Sequence, residues 1–245
     1  MLIYELLELK EKDIVSIVGA GGKTTLMFQL ANELKNHKVL VTTTTKIYKP
    51  KEEKIKHLAL RKDGYEYLQA TSENGIYVYG NYVNNEDKLV GLDLEELNYL
   101  KDSFKYILIE ADGAKKKSLK AWNEQEPVIY ENTNKTLGVL SLKAFGMTIN
   151  HDNIHRLKEF INLTNSKLNE KVSFEILISI IFGENGLFKN SKGERILFLN
   201  AADMINGDVL NLLINKIIEK NNELRLINKI IYGSLKDNYL DSIKL

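Results

Sequence analysis

Ile14-Val15-Ser16-Ile17-Val18-Gly19-Ala20-Gly21-Gly22-Lys23-Thr24-Thr25 is the stretch of this chain that decides its fold. All of its first five residues except Ser16 are apolar, which reads as a short buried strand. A glycine-rich turn, a lysine and two threonines follow, and Leu26 to Leu34 continue as a helix. Strand, turn and helix start together build an anion site from backbone. Glycines let the main chain wrap close to a ligand, and the N–H groups of a helix N-terminus favour negative charge. Lys23 is placed to reach the terminal phosphates of a nucleotide, and the Thr24 hydroxyl to hold Mg²⁺. The expected ligand is a nucleoside triphosphate, ATP before GTP, with Mg²⁺. Gly19, Ala20, Gly21, Gly22, Lys23, Thr24 and Thr25 would contact it.

The common phosphate-loop pattern begins with a glycine where this chain has Ile17. The loop here is a shorter form, Gly-x-x-Gly-Lys-Thr-Thr, and resembles the compact phosphate loop of the Mur ligases and folylpolyglutamate synthetases. The competing reading is a glycine turn between strand and helix with an incidental lysine. It requires the strand, the paired glycines and the Lys-Thr-Thr to coincide by chance.

Composition bounds the rest. A net charge of +1 with 27% charged residues gives no global basic field, so no nucleic-acid partner is expected. The absence of cysteine excludes disulfides, thiolate metal sites and a cysteine nucleophile within this chain. The first eight residues carry acids and no basic segment, so they do not read as a secretory signal. The longest apolar run, Ile176 to Phe182, is far short of the roughly 20 residues of a membrane span. A cytoplasmic location without membrane contact is expected.

Apolar β-rich runs at 14–18, 38–43, 106–110, 136–142, 195–200 and 226–232 alternate with helical patterns at 24–35, 94–102, 154–162, 173–181 and 208–221. That alternation predicts an α/β fold with a mostly parallel sheet of P-loop NTPase type and helices on both faces. Residues 1–245 read as a single domain. Between 48 and 93, short apolar segments separated by Asp-Gly, Asn-Gly and Asn-Asn predict a small hairpin insertion, an antiparallel extension of the sheet.

In a parallel sheet, ligands sit beyond the carboxyl ends of the strands. The second strand ends in Thr42-Thr43-Thr44-Thr45-Lys46. β-Branched residues suit a strand, but Thr44, Thr45 and Lys46 at its edge also suit phosphate, Mg²⁺ or a second substrate. Lys105 to Ala114 is an apolar strand that delivers Glu110 and Asp112, followed by Gly113. One carboxylate would help hold Mg²⁺ and the other orient a nucleophile. Lys115, Lys116 and Lys117 read either as solvated surface or as an anion clamp, with Lys120 the best candidate for transition-state charge stabilisation. Glu126 is a candidate ligand contact. His151 and His155 lie four apart at a predicted helix start, but no third ligand is near and no zinc site is expected. Arg156 would serve a nucleotide better than either. Asn200-Ala201-Ala202-Asp203 ends a further strand. Asn200 and Asp203 stand where GTPases read a base, though Ala201 replaces the usual lysine and such tetrapeptides are common.

Together, Gly19–Thr25, Thr42–Lys46, Glu110-Ala-Asp-Gly113, Lys120-Ala121, Glu126-Pro127-Val128 and His155-Arg156 are similar in order and spacing to the YqeC family. One departure is Gln125, where the family pattern carries His before Glu-Pro. The resemblance implies an ATP-binding accessory protein of selenium-dependent molybdenum hydroxylases. The hydroxylase or its pterin cofactor would be the partner, with nucleotide hydrolysis or phosphoryl transfer to a small anionic substrate as the reaction. A nucleotide-gated binding module and an ATP-dependent amide ligase are the alternatives. Without cysteine, this chain cannot carry selenium as a cysteine-bound selenosulfide; labelled selenium retained covalently on the pure protein would overturn that.

Overall fold

A computed structural model describes residues 1–51, 53 and 55–245. Glu52 and Lys54, within the expected 48–93 insertion, lie outside the described residues. The chain runs α1 (Ile3–Leu6), β1 (Ile14–Ala20), α2 (Lys23–Glu33), β2 (Lys38–Thr43), β3 (Lys46–Tyr48), β4 (His57–Leu60), α3 (Glu66–Ala70), β5 (Gly75–Gly80), β6 (Tyr82–Val83), β7 (Lys88–Val90) and α4 (Leu94–Leu100). It continues through β8 (Tyr106–Glu110), β9 (Leu119–Lys120), β10 (Lys135–Ser141), β11 (Ile154–His155), α5 (Leu157–Thr164), α6 (Phe174–Phe182), β12 (Glu194–Asn200), α7 (Gly207–Leu224), β13 (Lys229–Ser234) and β14 (Tyr239–Lys244).

Nine strands form one sheet in the order β14-β13-β12-β10-β1-β8-β2-β5-β4. Every pairing in it is parallel except β13 with β14. The expected mostly parallel α/β sheet is what the chain forms. β1, β2, β8 and β10 are buried along their whole length. Strands covered on both faces read as continuous apolar runs, which is why they were visible in the sequence.

The period of two assigns the faces. Val15 and Ile17 of β1, Leu108 of β8 and Phe198 of β12 pack with α1 and α2. On the other face, Leu140 of β10 and Leu197 and Leu199 of β12 pack under α5, α6 and α7. Ile107 and Ile109 of β8 pack there with Leu68 of α3 and Leu97 of α4. Helices therefore cover both faces.

Three expectations are corrected. Segments 56–60 and 75–79 do not extend the sheet antiparallel. β4 and β5 pair in parallel with each other, and β5 pairs in parallel with β2. The antiparallel element is instead a separate three-stranded sheet, β3-β7-β6. Its β6–β7 turn is set by Asn84, whose Oδ1 accepts from the backbone N–H of Glu86 and of Lys88. The helix expected from 154 begins at Leu157, because Ile154–His155 pairs in parallel with Leu119–Lys120 and so must be extended. The last parallel strand starts at Lys229, three residues beyond Leu226. Asn221 Oδ1, at the end of α7, first takes the backbone N–H groups of Leu226 and Ile227.

Candidate phosphate-binding site

β1 lies at the centre of the sheet, between β8 and β10. Register fixes what surrounds its carboxyl end: Ile17 pairs with Glu110 of β8, and Ala20 with Leu140 of β10. Thr43 of β2 also pairs with Glu110. The chain leaves β1 through Gly19, Gly21 and Gly22, at φ of +100°, +82° and +135°. A Cβ at Gly19 would stand 2.1 Å from Val139 O, and one at Gly21 2.2 Å from Ser141 Cβ. Only glycine passes this corner. α2 then starts at Lys23, and among the described residues no side chain caps it. Gly21, Gly22 and Thr24 are half-buried and Thr25 is exposed, so solvent reaches the turn.

Lys23 is buried, with Nζ 2.8 Å from Gly19 O, 3.0 Å from Asp112 Oδ1 and 3.5 Å from Glu110 Oε1. Burial disfavours its charge, but the two carboxylates outweigh it and hold its pKa above the ordinary lysine value. Thr24 Oγ1 donates to Glu110 Oε2 at 2.6 Å. Burial is the larger influence on Glu110 and raises its pKa, against the pull of Lys23 and Thr24.

Asp112 is fully buried, yet its pKa is lowered. Burial opposes the charge; Lys23, Lys120, the Gly19 N–H and the Trp122 indole together overcome it. Gly19 N donates to Oδ2 at 2.9 Å, Trp122 Nε1 to Oδ2 at 2.5 Å, and Lys120 Nζ stands 3.0 Å from Oδ2. Lys120 also donates to Gly113 O at 2.6 Å and to Glu126 Oε2 at 3.0 Å. Arg156 Nη2 completes the chain on Glu126 Oε1 at 3.0 Å. Arg156 adopts a left-handed backbone, φ 60°, at the head of α5. Beside it, burial and the charges of Lys120, Arg156 and Lys115 push His155 down to about 4.

The structure thus links Lys23, Thr24, Glu110, Asp112, Lys120, Glu126 and Arg156, seven predicted site residues, in one network. Asn200 joins it from β12: its Nδ2 donates to Gly21 O at 2.8 Å, and its Oδ1 accepts from Leu235 N at 3.4 Å. It braces the glycine turn. Thr44 Oγ1 donates to Val128 O at 3.1 Å, and Thr43 Oγ1 to Glu110 O at 2.8 Å, so the threonine run ties β2 to its neighbours. Thr45 N donates to Thr43 Oγ1 at 3.0 Å. Lys46 is exposed on β3, and Asp203 is exposed in the short turn after Asn200. Neither is bonded to the glycine turn. Lys115 and Lys116 are exposed, with Lys116 Nζ 4.1 Å from the Tyr48 ring centre. Trp122 carried no expected role. Its place two residues beyond Lys120 was the available signal.

A family model described as YqeC protein matches residues 15–158, which span every charged member of this network. The chain is 30% identical over 208 residues to the protein called Uncharacterized protein YqeC of Escherichia coli (strain K12), covering 81% of this chain and 80% of that one. No solved structure gives a significant match. On the family model and the extent of that identity, the chain belongs to the YqeC family.

Proposed function

We propose that this protein is of P-loop NTPase type, binding ATP, in preference to GTP, with Mg²⁺ at the β1–α2 turn. The reading rests above all on the 2.6 Å hydrogen bond between Thr24 and Glu110 beside an uncapped helix start reached through three left-handed glycines. That donor set fits the group. Glycine corners bring backbone close, the helix start favours anionic oxygen, and a hydroxyl with a carboxylate suits a hard cation.

Lys23 would turn from Asp112 towards the incoming phosphates, and Asp112 would keep its charge balanced by Lys120 and Trp122. Thr24 and Glu110 would hold Mg²⁺, which supplies neutralisation of the phosphate oxygens. Asp112 is already saturated by its four donor groups, so its role in this reading is to position Lys23. Lys120 and Arg156, held through Glu126, would face the substrate side. From the family resemblance, the reaction proposed is hydrolysis or phosphoryl transfer to a small anionic substrate in molybdenum hydroxylase maturation.

Thermal unfolding against ATP, GTP, CTP and ADP, each with and without Mg²⁺, tests the site. A ligand at about 100 times its Kd adds about 2.7 kcal/mol, which for a chain this size raises Tm by several degrees. A Mg-dependent rise with ATP, absent in Lys23→Ala, is expected. No rise with any nucleotide would overturn the reading.

A further inference from the structure

A cleft of about 750 Å³ opens between the Trp122–Gln125 loop and α5. That is the size of a small-molecule site. Trp122 belongs to both places: its residue lines the cleft, and its Nε1 donates to Asp112 beneath the glycine turn. We propose that this cleft binds a small neutral or zwitterionic molecule with an amide or lactam edge, and that Trp122 couples its occupancy to the phosphate site.

Charge sets the first part of the class. Lys158 and Lys189 line the cleft together with Glu124 and Glu159, two cations and two anions. Lys189 is also committed, donating to Asn123 O at 2.7 Å and Glu124 O at 3.4 Å. A multiply charged ligand would find no matching excess. Hydrogen-bonding capacity sets the second part. Asn123, Gln125, Asn162 and Asn185 bring four carboxamides to the walls. A carboxamide offers a donor and an acceptor side by side and pairs with a ligand that does the same, an N–H next to a C=O. Among the described residues, Asn123 Oδ1 is buried without a hydrogen-bond partner. Such an orphan is uncommon and calls for a partner, and it belongs to a residue of the cleft wall. Trp122 and Leu163 supply apolar surface for the flat faces of such a ligand.

The coupling half rests on the proposed nucleotide reading. If Lys23 leaves Asp112 for phosphate, Asp112 depends more on Trp122 and Lys120, and the Trp122–Gln125 loop responds. Lys120 and Glu126, at the two ends of that loop, are bonded to each other, so a shift at one end moves the other.

Calorimetry on the full chain with hypoxanthine as the lactam probe, and purine as the same ring system without the carbonyl, tests the cleft. Hypoxanthine should bind at least about tenfold tighter than purine. Binding should persist in Lys23→Ala and weaken at least about tenfold in Asn162→Leu, an exposed position, with the melting temperature unchanged. Equal affinity for the two probes, no binding, or an apparent hypoxanthine Kd that rises without limit as Mg-ATP is added would overturn the assignment. For the coupling, Mg-ATP should change the hypoxanthine Kd by about fivefold or more, and hypoxanthine should change the ATP Kd by the same factor. Trp122→Phe should remove that effect; coupling unchanged in Trp122→Phe would overturn Trp122 as the link. ATP binding without hypoxanthine binding fails the cleft alone, and the reverse fails the nucleotide reading alone.

Discussion

Glu110 and Asp112 are separated by the single residue Ala111, both buried, and both beside Lys23, yet their surroundings set them opposite tasks. Asp112 has four donor groups and a lowered pKa, so its charge belongs to the folded state. Asp112→Asn leaves Lys23 and Lys120 buried without their shared anion and should destabilise the protein by about 3–5 kcal/mol, read from urea unfolding. Glu110 has a raised pKa because burial outweighs its partners. Its ionised form opposes folding, so Glu110→Gln should leave urea stability nearly unchanged and, on the proposed nucleotide reading, should remove Mg-dependent nucleotide binding. On the same reading, Mg-nucleotide affinity should fall as pH drops through the elevated Glu110 pKa, which a titration across pH would follow. His155 gives a separate acid signature. Its folded pKa, about 4, lies below the ordinary 6.5. The unfolded chain therefore binds the extra proton, and stability falls as pH drops from about 6.5 to about 4. His155→Gln should flatten that limb of the stability profile.

At the scale of elements, placement follows from how each helix and strand end is satisfied. α2 begins uncapped after glycine and keeps its N-terminus available. α7 begins with Asn206, whose side chain accepts from Asp208 N at 2.8 Å. A capped start is a structural one, and Asn206→Ala should cost about 1 kcal/mol in urea unfolding without changing nucleotide affinity. A loss of affinity with it would show that α7 helps shape the site. The elements most legible in sequence were those whose own residues settle them: β2 and β8 fall where the apolar runs placed them. β11 was hidden. Ile154 and His155 carry a helical pattern, and only their pairing with Leu119 and Lys120 extends them. β4 and β5 showed as short strands, but nothing local says that they join β2 in parallel.

At the scale of the molecule, the nine-stranded sheet runs without interruption from β14 to β4 and is covered on both faces. A continuous sheet favours one cooperative unit. The single tryptophan, Trp122, should therefore lose its native fluorescence at the same urea midpoint as backbone circular dichroism. Separate midpoints would show that part of the sheet, such as the β4–β5 edge, unfolds alone. The central position of β1 is also what gathers the site. β8, β10, β2 and β12 end around it and deliver Glu110, Ser141, Thr43 and Asn200 to one corner.

The order of residues was enough to place the glycine turn, the lysine and threonine behind it, the two carboxylates at the end of β8 and the apolar strands of a parallel sheet. These are local: a glycine at positive φ, a hydroxyl at a helix start and a buried strand each carry their own signature. That Asp112 is saturated while Glu110 is not, that Asn200 braces the turn, and that Trp122 joins Asp112 to a cleft emerged from the folded arrangement alone. Those roles depend on strand order and on side chains far apart in the chain meeting in a low-dielectric interior. No spacing along the sequence encodes which of two neighbouring carboxylates will find its partners there.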